Sequence, residues 1–232
     1  MRTGSAADLS LKASPPPAAP FSWTGFYVGG NIGAGWGTSD TTFLANPAFG
    51  FGFNSNLPFG TLSPSGVLGG VQAGYNWQAD WIVLGVEGNF DRADIKANSA
   101  CSNDSVGGTL ACSTRTDWLA SVSGRVGGVV GDRMLAYVKG GGVWNDTKYS
   151  ATDTLGAFLL PGTTVTSTAI RSGWLLGFGL EYVFSPHWTG FVEYDYMDFG
   201  SHTVTFTTSG FSVGASLDDK LSQVKTGVNY KF

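Results

Sequence analysis

The stretch Trp174-Leu175-Leu176-Gly177-Phe178-Gly179-Leu180-Glu181-Tyr182-Val183-Phe184 decides the fold. Trp174, Leu176, Phe178, Leu180, Tyr182 and Phe184 alternate with Leu175, Gly177, Gly179 and Glu181. A period of two belongs to a strand, whose successive side chains point to opposite faces. Glycine at this density would cost a helix about 1 kcal/mol per residue. One face lacks charge throughout and begins and ends in aromatics, as two membrane interfaces require. Eleven residues at ~3.3 Å each, tilted ~40–45°, span roughly 26 Å, the height of the apolar band of an outer-membrane barrel.

The same alternation occupies seven further runs, at 26–36, 67–77, 82–90, 118–130, 136–144, 188–196 and 224–232. Trp36, Trp77, Trp81, Trp118, Trp144, Trp174 and Trp188 fall near the ends of these runs. The connections at 78–80, 131–133 and 185–187 are short turns, whereas 38–65, 95–115, 146–171 and 199–219 read as long loops. Short and long alternate, as in an up-and-down barrel. The expected fold is all-β: an eight-stranded antiparallel up-and-down transmembrane β-barrel. Both termini then lie on the periplasmic side, with four long loops outside.

Composition agrees. Only 13% of the 232 residues are charged and 35 are glycine, about half and about twice the usual shares. No run approaches the ~20 apolar residues of a transmembrane helix. Net charge −4 without a local Lys/Arg run argues against a nucleic-acid partner. Met1–Ser5 reads as a cloning remnant, with a signal peptide already removed near Ala6 or Ala7. Residues 1–22 are expected to be a flexible Pro/Ala-rich tail and residues 23–232 the barrel.

By parity Glu87, Asp91, Arg125, Lys139, Glu181, Glu193, Asp195 and Lys225 point inward. Side chains alone fill so narrow a lumen, and buried charges must pair, so a salt-bridged plug is expected. A narrow ion path stays open as the alternative, since the many inward glycines leave space for water. The first long loop carries Phe43, Leu44, Phe49, Phe51, Phe53, Leu57, Phe59 and Leu62. These either fold over the rim or contact another barrel, a host surface or haem. The loop has no His or Tyr to serve as an axial haem ligand.

No catalytic, cofactor or metal residues are assigned. His187 sits in a turn, and His202 beside Asp198 and Ser201 does not make a triad. Cys101 and Cys112 have ten residues between them and no nearby His, which is not a zinc site. In an exported protein they are expected to form a disulfide within the second loop.

Phe21-Ser22-Trp23-Thr24-Gly25-Phe26-Tyr27-Val28-Gly29-Gly30-Asn31 resembles the opening of the small outer-membrane immunogen and opacity-type barrels of alphaproteobacteria. Gly85–Asn89, Tyr137–Gly141, Gly177–Tyr182 and Val192–Tyr196 resemble that family's strand motifs, and Val224–Phe232 its last strand. The resemblance implies a Gram-negative outer-membrane protein of surface-antigen or envelope-stabilising type. Some members are described as porins and some as haemin binders. It also implies that Val228, Tyr230 and Phe232 form the signal read by the outer-membrane assembly machinery. The expected function is structural and interactive rather than enzymatic, with a small diffusion channel as the alternative. A lipid-modifying enzyme or a haemin-binding surface protein ranks below both. Expected partners are outer-membrane lipids and lipopolysaccharide, the assembly machinery, and host or neighbouring-barrel surfaces.

Overall fold

A computed structural model describes residues 21–44, 57–101, 110–153, 162, 164–208 and 211–232. The strands are β1 Gly25–Phe43, β2 Leu57–Leu62, β3 Ser65–Ala79, β4 Ile82–Cys101, β5 Leu110–Val130, β6 Met134–Asp153, β7 Thr164–Ser185, β8 Trp188–Thr208 and β9 Phe211–Lys231. Each pairs antiparallel with its neighbour, and β9 pairs back with β1 from Tyr27↔Lys231 to Phe43↔Ala215. The ring is therefore closed, leaving no strand edge unpaired in lipid.

Nine strands make eight staves. Gly25 to Trp36 of β1 pairs with β3, and Ser39 to Phe43 pairs with β2. Between them Pro64 cannot donate to the ladder, although its carbonyl still accepts from the Gly37 N–H at 2.9 Å. So β2 and β3 are one stave interrupted at a proline.

Tight connections close three hairpins at one end of the barrel, here called the turn end. Ala79 pairs with Ile82 around Asp80 and Trp81. Asp80 takes φ 52°, a left-handed conformation that Asp tolerates. The turn is thus one residue later than the sequence suggested. Gly131, at φ 63°, leads the second turn, and Pro186-His187 makes the third.

The other end corrects the loop assignment. Most of the stretches 95–115, 146–171 and 199–219 are strand, and β5 to β9 run 20 to 22 residues. A membrane crossing needs only ~9–11, so the barrel wall continues well past the outer aromatics. These extensions are rich in Thr, Ser and Val, as in Thr164-Val165-Thr166-Ser167-Thr168, which suit a pleated backbone. Bulges mark where the wall leaves the aromatic band, at Arg92/Ile95, Thr116/Trp118 and Asp198/Ser201. At the last, Gly200 adopts φ 63°, which glycine accepts without steric cost. At Asp117 the bulge reverses parity, so Thr116 and Leu119 are both buried.

The outer face between the girdles is apolar and exposed, including Val126, Phe178 and Leu180. Trp36, Trp144 and Trp174 face outward on the loop side, where half-buried Trp118 stacks on Phe90 at 6.0 Å. Trp77, Trp81 and Trp188 face outward at the turn end. Of the apolar residues assigned to the first loop, Phe49, Phe51 and Phe53 lie outside the described residues, as do the side chains of Phe43, Leu57 and Phe59. Leu62 is buried. The tail at 1–20 lies outside the described residues too. Trp23 is buried in the turn-end cluster, and Phe21 packs against it edge-on.

Candidate functional site

Inward parity builds the lumen in layers, read off β6 from the turn end. Leu135 and Tyr137 join Trp23, Val83 and Val183 in an apolar cluster. Lys139 follows in a charged layer. Val143 then joins Leu68, Ile95, Leu119, Leu175 and Met197 in a second apolar cluster. Asn145 and Thr147 come next, and Tyr149 packs with Ala215 and Leu217.

All eight charged residues expected inside are buried, none above 7% exposure. Lys139 Nζ lies 2.6 Å from Glu193 Oε1, 3.4 Å from Asp195 and 3.5 Å from Glu87. Lys225 Nζ lies 3.4 Å from Glu193, 3.5 Å from Asp195 and 3.7 Å from Asp91. Arg125 Nη1 reaches Glu181 at 3.3 Å and Glu87 at 3.7 Å. The eight residues therefore form one connected network drawn from β4, β5, β6, β7, β8 and β9.

Neutral partners extend it. Tyr27 donates to Glu87 at 2.8 Å and Tyr137 to Glu193 at 2.9 Å. The guanidinium of Arg125 sits 4.6 Å and 5.2 Å from the centroids of those two tyrosine rings, within cation–π range. Its Nε donates to Asn76 Oδ1 at 2.9 Å. An amide relay runs from Asn31 to Gln72, to Asn229 and on to Glu181, each step 2.8–2.9 Å. Thr189 also donates to Glu181, and Gln223 donates to Asp195 at 2.8 Å. These partners were not singled out from sequence, although Tyr27 and Tyr137 share the inward parity of the charges, and that was the available signal.

At four of the inward glycines a side chain of a neighbouring stave occupies the space beside the backbone. A β-carbon on Gly74 would collide with the Tyr27 hydroxyl, and one on Gly179 with the Tyr137 ring. On Gly70 or Gly177 it would collide with the Asp91 or Asp195 carboxylate. At these positions a large side chain of one stave fills the hollow left by glycine on another.

A second buried cluster was missed. Arg171 is 1% exposed and pairs with Asp219, which also accepts from Tyr149 Oη at 2.6 Å. Arg171 and Asp219 fall in or at the edge of stretches read as loops, so no inward parity was assigned to them. Both lie beyond the outer aromatics. There, burial and then the Asp219 carboxylate push the Tyr149 hydroxyl pKa above its ordinary value.

Cys112 is disulfide-bonded. The side chain of Cys101, the chain's other cysteine, lies outside the described residues. The backbones of both lie on strands rather than in a loop, opposite Leu110 and Ser99. His187 donates from Nδ1 to the Lys231 carbonyl, 3.0 Å away, and stacks on Tyr230. His202 is exposed. Phe232 is exposed, its N–H donates to the Phe26 carbonyl at 3.0 Å, and its ring meets Tyr230 edge-on. Val228 is outward on the same face.

The family model for the outer membrane protein beta-barrel domain matches residues 5–232. The chain belongs to this family. It is 32% identical to the 31 kDa outer-membrane immunogenic protein of Brucella melitensis, covering 98% of this chain and 92% of that one. It is 28% identical to the 22 kDa outer membrane protein of Rhizobium leguminosarum, covering 91% and 79%. Among solved structures it is similar to Neisserial surface protein A, with 14% identity, a TM-score of 0.43, and coverage of 90% and 98%.

Proposed function

We propose that the protein is a structural and surface-interaction barrel of the Gram-negative outer membrane whose lumen is plugged by its own side chains. The observation that carries this reading is the Arg125–Lys139–Lys225 network, enclosed between an apolar cluster at Trp23 and Leu135 and another at Leu119 and Val143. An ion crossing this lumen would have to separate buried pairs and pass two dry layers. The termini and tight turns face the periplasm, and the extended walls face outward. The role is non-catalytic: the buried carboxylates and amines engage one another and the surrounding Tyr, Asn and Gln side chains. Val228, Tyr230 and Phe232 serve recognition by the assembly machinery, and the outer walls contact host or neighbouring-barrel surfaces. Efflux of potassium from loaded liposomes tests the reading. Proteoliposomes should hold the ion as tightly as empty vesicles do, and a leak proportional to inserted protein would overturn it.

One observation favours the alternative, a narrow cation path. Five carboxylates, Glu87, Asp91, Glu181, Glu193 and Asp195, face only three cations. Under that reading the leak would be selective for cations.

A further inference from the structure

Above the second apolar layer, four inward residues make a polar level whose pairing is incomplete. Asn145 on β6 lies directly opposite Arg171 on β7, and Ser39 on β1 directly opposite Asp219 on β9. The Arg171–Asp219 ion pair joins the two halves. Ser39, Asn145 and Arg171 are 3%, 4% and 1% exposed, and the Asp219 side chain 14%. Val143, Leu175 and Leu221 lie on the membrane side of this level, and Tyr149, Ala215 and Leu217 on the loop side.

Arg171 Nη1 takes Asp219, but among the described residues its Nε and Nη2 have no hydrogen-bond partner. Neither do Asp219 Oδ1, Asn145 Oδ1 and Ser39 Oγ. Two donors and three acceptors are thus buried without partners on four adjoining residues. Folded proteins rarely leave such groups unpaired, because each has given up its water on burial.

The two sets complement one kind of molecule. Nε and Nη2 form the side-on fork of a guanidinium, which takes both oxygens of a carboxylate. Three acceptors, one of them a carboxylate oxygen, match the three N–H groups of an ammonium. The level is itself neutral, one guanidinium against one carboxylate. An anion or a cation entering alone would therefore bury an uncompensated charge, whereas a zwitterion brings both signs. Side chains fill a lumen of this width, which restricts the ligand to the smallest zwitterions. Tyr149 covers the level from the loop side. Its ring centroid lies 5.3 Å from the Arg171 guanidinium, and its hydroxyl donates to Asp219 at 2.6 Å. Entry from that side requires Tyr149 to swing away.

We infer that the outer lumen binds a small zwitterion of the α-amino acid class, its carboxylate on the Arg171 fork and its ammonium among Asp219, Asn145 and Ser39. The site goes beyond the proposed function and stands whether or not the lumen below it conducts.

The test titrates the refolded full chain, in detergent micelles and with nitrogen-15 in its arginine side chains, with glycine, acetate and methylammonium. The readout is the Arg171 Nε–H resonance, assigned by its loss in Arg171→Lys. Glycine should shift it saturably. Acetate, which has nothing to offer Asp219, should bind about tenfold more weakly, the worth of one charge-assisted hydrogen bond. Methylammonium should leave the resonance in place. Calorimetry then compares variants. Arg171→Lys keeps the charge and loses the fork, and Asn145→Leu removes one acceptor while leaving the Arg171–Asp219 pair intact. Each should weaken glycine binding about tenfold on the same grounds. The shifted electrophoretic mobility of an unheated barrel verifies folding, and Asn145→Leu carries the comparison if Arg171→Lys does not fold. A resonance that responds to none of the three compounds would overturn the inference and leave water as the occupant. Equal responses to acetate and glycine would also overturn it, as would unchanged glycine binding by Asn145→Leu.

Discussion

Lys139 and Glu193, 54 residues apart in sequence, meet at 2.6 Å inside the barrel, both almost wholly buried. Lys139 also faces Asp195 and Glu87. Lys139→Ala therefore removes one cation from three carboxylates at once and leaves only Lys225 and Arg125 beside them. It should lower stability by ~3–5 kcal/mol, the usual loss when a buried pair loses one partner. Urea titration of the unheated-band mobility checks this. A loss of ~1 kcal/mol or less would mean that water screens the network.

Packing of the lumen predicts a contrast between glycines. Gly74→Ala drives a methyl group into the Tyr27 hydroxyl and should cost ~1–3 kcal/mol by overpacking. Gly88→Ala points into open space and should be close to neutral. Equal effects in the same urea titration would contradict the close-packed lumen.

On the lipid face, Val126→Arg and Leu180→Arg should each cost ~2–4 kcal/mol near the midplane. Both side chains are outward and half exposed to what would be hydrocarbon. Folding into phospholipid vesicles measures the difference. Small, equal effects would place these residues away from the bilayer centre.

Much of this was legible in the sequence, and the reason is contrast. Leu180 against Glu181, or Val138 against Lys139, alternates apolar with polar, so parity assigns each side chain to a face. Trp23 went unassigned because it precedes the first alternating run, yet it is buried at the turn end. Beyond the outer aromatics both faces of the wall are polar. Thr164 to Thr168 gives no contrast to read, so this strand resembles a loop in the sequence and Arg171 carries no parity signal. The bulge at Asp117 adds a reversal of parity that no local pattern announces. On the outer wall, Lys96 stands opposite Arg115 and Arg115 opposite Lys148, and this row of cations was invisible for another reason. Lys96, Arg115 and Lys148 are far apart in sequence, and only register brings them together.

The disulfide at Cys112 lies where the wall has left the membrane. We propose Cys101 as its partner, closing a loop of about a dozen residues worth at most ~3 kcal/mol in the chain-entropy model. Reduction should loosen the loop end without unfolding the barrel. Labelling of two thiols per chain before any reductant is added would refute the bond.

At the opposite end, Phe232 adds one backbone bond and one aromatic contact to closure. Deleting it should barely alter refolding into detergent, because the β9 ladder to β1 runs on to Ala215. Insertion in cells should fall sharply. Normal outer-membrane levels of the truncated chain would reduce Phe232 to an interface anchor.

Single-channel recording of the refolded wild-type protein in a planar bilayer shows whether the lumen conducts. With the Arg125, Lys139 and Lys225 pairs intact between two apolar layers, the membrane should stay silent under applied voltage, even after insertion is verified. Reproducible stepwise conductance from the unmodified barrel would contradict it.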